Sequence, residues 1–203
     1  MAMNFNESRT KENLMRAFAG ESQARNRYTI AAQAAKKQGM YAVSQIFLFT
    51  ADQERAHAER YYDLLKKSAG ETIQIDGGYP VDHFDCVKEL LKAAEHNELA
   101  EYDEVYPAFG DIAKEEGFIE EAAAFYGIAK IEQIHAKRFG KLAELIESGR
   151  LYENTEDKDW MCLNCGHIFH GKAVPEVCPV CRHEKGYFIP AELAPYLECG
   201  FLK

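Results

Sequence analysis

From about Arg9 to Gln38 the apolar residues Leu14, Phe18, Ala24, Tyr28 and Ala31 recur at helical spacing among many alanines, and Gly39 closes the run. This pattern predicts a long helix. A second is predicted from about Tyr41 to Ala69, ending at Gly70. The stretch that follows, up to Asp82, contains Gly77, Gly78 and Pro80 and reads as an irregular connection. About a dozen extended residues reach roughly 40 Å, enough to run the length of a bundle. Asp82 is the expected N-cap of a third helix, which carries Leu90, Leu91, Ala94, Leu99 and Tyr102 toward Glu116. Pro107 predicts a kink or break near Tyr106. A fourth helix is predicted from about Phe118 to Ser148, stopped by Gly149. The expected organisation is an all-α four-helix bundle with a long crossover over residues 1–149, a polar linker over 150–158, and a small module over 159–203.

A repeat of polar residues lies on top of this pattern. Glu21 is followed 33 positions later by Glu54 and then His57, and Glu98 is followed 34 positions later by Glu132 and then His135. A Glu and a His three apart project from one face of a helix. Gly39 lies 18 residues after Glu21 and 15 before Glu54, while Gly117 lies 19 after Glu98 and 15 before Glu132. If each Gly ends a helix, both hairpins deliver their ligands about 23 to 28 Å from the turn. Four helices therefore present carboxylates and imidazoles at one level, a donor set that suits iron or manganese and matches the di-iron carboxylate bundles.

Glu101, three residues after Glu98, falls on the same helix face and adds a fifth carboxylate. A carboxylate gains more from a ferric than a ferrous ion, whereas neutral imidazole discriminates less. Glu101 and His57 are therefore expected to exchange at one iron as its oxidation state changes. Glu95, Glu104, Glu120 and Glu121 are assigned to the solvated face.

The formal charge of −9 over 203 residues argues against a nucleic-acid partner, which would need clustered Lys and Arg. No run approaches 18 apolar residues, and Met1 to Arg16 is polar, so neither a membrane partner nor secretion is expected and cytoplasm is the default. Cys162, Cys165, Cys178 and Cys181 form two CxxC units, the signature of a tetrathiolate metal site. Trp160, Phe169, Tyr187 and Phe188 supply only a small core, so this module should depend on its metal to fold. The cysteines alone favour zinc. A neighbouring redox-active pair needs one-electron delivery, which favours iron. His167, His170 and His183 are read as surface groups or groups supporting the cysteines, and Cys86 and Cys199 as ordinary thiols.

The segments FAGESQARNRY around Glu21, ADQERAHAER around Glu54 and His57, EYDEVYPAF from Glu101, CLNCGH and CPVC together resemble the rubrerythrins, over nearly the whole chain to about Phe188. The resemblance implies a ferritin-like bundle with a rubredoxin-like module. It implies a non-haem di-iron centre held by Glu21, Glu54, His57, Glu98, Glu101, Glu132 and His135, with Glu54 and Glu132 bridging. It also implies a rubredoxin-type Fe(Cys)4 site on Cys162, Cys165, Cys178 and Cys181. Tyr28 and Tyr106 would hydrogen-bond to site carboxylates, although both equally fit the core. The implied activity is reduction of hydrogen peroxide to water. Electrons would come from a donor protein, rubredoxin or a reductase using NAD(P)H, and a homodimer would set one chain's module beside the other's bundle. A ferroxidase or iron-handling protein is the alternative. The tail from Ile189 to Lys203 has no counterpart in this reading.

Overall fold

A computed structural model describes residues 3–195. Helix α1 (Arg9–Lys37) starts at Ser8, whose hydroxyl accepts from the Lys11 amide at 3.1 Å. It is followed by α2 (Tyr41–Leu64) and a 3₁₀ turn (Leu65–Ser68). Then come α3 (Val87–Ala100), α4 (Tyr106–Glu115) and α5 (Ile119–Glu147). Gly39, Gly117 and Gly149 all end helices at positive φ, the backbone conformation that other residues reach only with strain.

The connection between α2 and α3 runs the length of α1. Asn6 meets Glu71, Arg16 meets Asp76, Arg27 meets Asp82, and Gln38 donates to the Asp85 carbonyl, so the two segments ascend side by side. That path carries the chain back to the α1–α2 turn before α3 descends, which gives the long crossover. Asp82 does not cap α3. Its carboxylate is taken by Arg27 at 2.6 Å and Asn97 at 2.7 Å, and the helix begins five residues later with Cys86 at its cap. A tertiary ion pair here outcompetes a local cap.

The third predicted helix is interrupted by a π-helical turn, Glu101–Val105, where the Tyr106 amide reaches the Glu101 carbonyl. Pro107 has no N–H to return to Asp103, and its ring would crowd that carbonyl, so a wider turn relieves the conflict. The same turn explains why the second hairpin is one residue longer than the first. In an unbroken α-helix, Glu98 and Tyr106 would point about 80° apart; absorbing one surplus residue brings them to within about 20°. Both are buried toward the interior.

Two apolar clusters fill the bundle. One, near the α1–α2 turn, includes Tyr28, Phe47, Leu91, Phe139 and Leu142; the other, at the far end, includes Leu14, Tyr61, Leu64, Tyr106 and Phe125. On every helix the glutamates and histidines of the repeat fall between the two. Glu121 departs from the expected solvated face. It is buried, and Lys67 covers it at 3.1 Å while also lying over the rings of Phe5 and Phe118.

The C-terminal module is a three-stranded antiparallel sheet of β1 (Glu153–Cys162), β2 (Ile168–Ala173) and β3 (Phe188–Pro190), in the order β2-β1-β3. The segment expected to be a linker is thus largely strand: β1 begins at Glu153 and pairs with β2 through a register shift before Lys158. The module sits on the α1–α2 turn of its own chain. Tyr41 and Tyr187 stack with ring centres 4.4 Å apart, and a Cβ on Gly186 would lie 1.7 Å from the Gly39 carbonyl oxygen. Ile189 and Ala194, the start of the tail left unplaced by sequence, join the upper core of the bundle. Cys199 lies outside the described residues.

Candidate metal centres

At mid-height the four ligand-bearing helices bring together two sets of donors. Glu21, Glu54, His57 and Glu132 form one, and Glu54, Glu98, Glu132 and His135 the other, with the donor atoms of each set within 4.8 Å of one another. Glu54 and Glu132 belong to both. Glu132 offers one oxygen to His57 Nδ1 at 2.9 Å and the other to His135 Nδ1 at 2.8 Å; Glu54 does the same at 3.1 and 3.0 Å. The two rings lie face to face, with centres 5.7 Å apart. Two shared carboxylates between two terminal sets form the frame of a two-metal site.

The electrostatics favour a cation. Burial, reinforced by neighbouring carboxylates, holds Glu21 and Glu98 well above the usual carboxylate range and pushes Glu101 up to about 8. Burial opposes ionisation of Glu132 too, but His135 and His57 bring it down to about 2. Burial likewise disfavours charge on His57 and His135, yet their glutamate partners raise them to about 9 and about 12. Glu21 Oε2, Glu54 Oε1, Glu98 Oε2, both Glu132 oxygens and His135 Nδ1 are buried without a hydrogen bond. Several of these atoms stand at hydrogen-bond distance but out of hydrogen-bond alignment. Buried oxygens and nitrogens that crowd together without bonding to one another fit metal ions between them.

Tyr28 donates to Glu98 Oε1, and Tyr106 donates to Glu21 Oε1 at 2.5 Å. Both tyrosines are also core aromatics, so the two readings offered by sequence hold together. Glu101 belongs to neither donor set. It stands beside them, half-buried, facing a cavity on the crossover side.

In the module, Cys162 and Cys181 Sγ are 3.8 Å apart, as are Cys165 and Cys178 Sγ. That separation is far from a disulfide and equals the edge of a tetrahedron with metal–sulfur bonds of about 2.3 Å. The two CxxC units are built alike. Gly166 follows the first at φ 77°, and Arg182 follows the second at φ 65°, the one non-glycine residue at positive φ among the described residues. Burial pushes the Cys162 thiol up to about 12, while the His183 amide draws Cys181 down to about 6. His170 pairs with Asp159 and His183 with Asn164, outside the sulfur set. Cys86 is free and exposed.

Residues 12–143 match the family model described as rubrerythrin. The chain belongs to the rubrerythrin family. Residues 160–189 match the model for the rubrerythrin rubredoxin-like domain. The rubrerythrin-1 of Clostridium acetobutylicum is 46% identical over 183 residues, covering 89% of this chain and 93% of that protein. The rubrerythrin of Nitratidesulfovibrio vulgaris is 43% identical over 181 residues, covering 89% and 93%. Among solved structures, nigerythrin in a mixed-valence state aligns with a TM-score of 0.60 at 29% identity, over 93% of this chain and 94% of that one. A Desulfovibrio desulfuricans bacterioferritin aligns at 0.62 and 25% identity, over 70% and 81%. No helix among the described residues is long and apolar enough to cross a membrane.

Within this rubrerythrin bundle, sequence reasoning overlooked a second layer of contacts. His135 Nε2 lies 3.1 Å from Gln53 Oε1, to which Arg138 also donates at 3.0 Å, and Arg138 reaches Thr50 Oγ1 at 2.8 Å. The available signal was spacing: Arg138 follows His135 by three, on the same helix face.

Proposed function

We propose that this chain is a non-haem di-iron peroxidase that reduces hydrogen peroxide to water in oxidative-stress defence, fed with electrons through a rubredoxin-type iron. The reading is carried by one observation: two carboxylates, Glu54 and Glu132, each split their oxygens between two histidines in a chain that also bears a four-sulfur site. Glu21, Glu54, His57, Glu98, Glu101, Glu132 and His135 would hold the iron pair, and Cys162, Cys165, Cys178 and Cys181 the third iron. When bound, a ferrous pair supplies the two electrons that split the O–O bond, and the tetrathiolate iron replaces them singly.

The protein's own contribution is positional. Tyr106 and Tyr28 fix one oxygen of Glu21 and one of Glu98, leaving the other for metal. Burial of Glu21, Glu54, Glu98 and Glu132 makes contacts among them act at low dielectric. Glu101, at the cavity wall, is free to exchange with His57.

Glu54 lies 13 residues along α2 from Tyr41, where the module docks, or roughly 20 Å. A homodimer that lays one chain's module beside its partner's bundle would shorten that path. The donor would be a rubredoxin or a reductase using NAD(P)H. A ferroxidase would have no use for an attached electron carrier.

Dithionite-reduced, iron-loaded protein is expected to regain its visible absorption rapidly with peroxide and slowly with air. Cys178→Ser should lose turnover with an external donor yet keep single-turnover oxidation. Faster reaction with air than with peroxide would favour the ferroxidase.

A further inference from the structure

Glu21, Glu54, Glu98 and Glu132 are sealed, each no more than 1% exposed, whereas Glu101 is half-buried and opens onto a cavity of about 310 Å³. Tyr106 and Val105 continue the inner wall beside it, α1 contributes Gly20 and Gln23, and the crossover residues Gly77 to Pro80 form the roof. The cavity therefore lies between solvent and the one carboxylate of the centre that is not enclosed.

Its lining selects by charge. Arg16 is matched by Asp76 at 2.8 Å and Glu12 at 3.2 Å, and Arg27 by Asp82 at 2.6 Å. With both guanidiniums committed, no unpaired positive charge is left facing the space. An anion gains nothing here, whereas a small neutral molecule with hydrogen-bonding groups does.

The roof selects by size. The two arginine clasps hold the crossover at Asp76 and Asp82, and between them the Tyr79 ring lines the space. Its hydroxyl donates to the Arg16 carbonyl at 3.2 Å. Gly77 makes room for the ring, since a Cβ there would stand 3.2 Å from it, whereas a Cβ at Gly20 would meet it at an ordinary contact distance of 3.8 Å. Yet Tyr79 is 42% exposed, with one side inward and the other in water.

We propose that the space beneath Tyr79 is the passage by which peroxide reaches Glu101 and the metal pair, and that the Tyr79 ring sets the size limit, admitting hydrogen peroxide and excluding bulky organic hydroperoxides. The choice of substrate rests on the peroxidase reading; the passage itself does not. Two measurements on reduced, iron-loaded full-length protein separate them. The first is reoxidation by hydrogen peroxide against tert-butyl hydroperoxide. The second is stopped-flow association of nitric oxide, a small neutral probe that reports access without peroxide chemistry. Tyr79→Ala should raise the tert-butyl rate relative to the hydrogen peroxide rate by about tenfold or more, the discrimination that a methylene-sized misfit carries, and should speed nitric oxide association. Gly20→Val should fill the space and slow nitric oxide association, with iron content unchanged. Should Tyr79→Ala leave both the hydroperoxide ratio and the nitric oxide rate at their wild-type values, the passage lies elsewhere. If peroxide proves not to be the substrate, faster nitric oxide association in Tyr79→Ala still upholds the passage.

Discussion

Gln53 supports His135 from behind: its side-chain oxygen lies 3.1 Å from Nε2, on the opposite side of the ring from the nitrogen that faces Glu54 and Glu132. Because that oxygen also accepts from Arg138, it can only accept from His135, which puts the imidazole proton on Nε2 and leaves Nδ1 free for metal. Gln53→Leu should weaken metal binding at the His135 set by about 10- to 100-fold. Chelator competition against the parent protein measures this, and an unchanged affinity would show that the ring needs no such support.

Glu132 is the carboxylate on which both histidines converge. Glu132→Gln keeps the shape but removes a bridging charge. The variant should lose both ions of the bundle while keeping the tetrathiolate iron and its helical circular dichroism. Elemental analysis with visible spectroscopy distinguishes this from loss of a single ion.

Metal-free protein should lose stability as pH rises from about 5 to 9. The folded-state pKa of Glu101 is raised from 4.5 to about 8, so the folded chain holds a proton the unfolded chain has released, and stability falls across that interval. His57, raised from 6.5 to about 9, acts in the same direction: its contribution is complete below 6.5 and lost as pH passes 9. Glu132, lowered to about 2, matters only on the acid side, where its contribution disappears as pH falls below 4.5. Thermal melts of the apo bundle should therefore be highest near pH 5. Added iron should raise the melting temperature more at pH 8 than at pH 6, since binding must displace protons. A melt that rises with pH in the apo form would contradict this sign.

Gly186 is where the module meets the bundle. Gly186→Ala would drive a methyl group into the Gly39 carbonyl, which as backbone has little room to yield. Undocking should cost about 1–3 kcal/mol and expose the segment near Leu151, which is buried in the upper core, to proteolysis. The four cysteines should still bind iron, because their own core of Trp160, Val174 and Phe188 is untouched.

Much of this architecture is readable from the chain because the signals are local. Gly39, Gly117 and Gly149 stop helices by conformational necessity, and ligands three apart must share a face. What escaped is tertiary. Asp82 looks like a cap but is claimed by Arg27 and Asn97. The polar run from Glu153 looks like a linker, yet it pairs with β2 through backbone groups that composition does not reveal. Glu121 resembles any surface glutamate until Lys67 folds over it. Gln53 and Arg138 become partners of His135 only once α2 and α5 are packed.

The π turn has one more consequence. The residue three after Glu21 is Ala24, buried in the upper core; the residue three after Glu98 is Glu101, the first of the widened turn. The two hairpins are thus unlike twins. One ion of the pair would have within reach a carboxylate donor that the other lacks, so the two sites would be chemically inequivalent before any substrate arrives. A half-oxidised pair would have a preferred seat for its higher valence, on the side where Glu101 can answer the added charge.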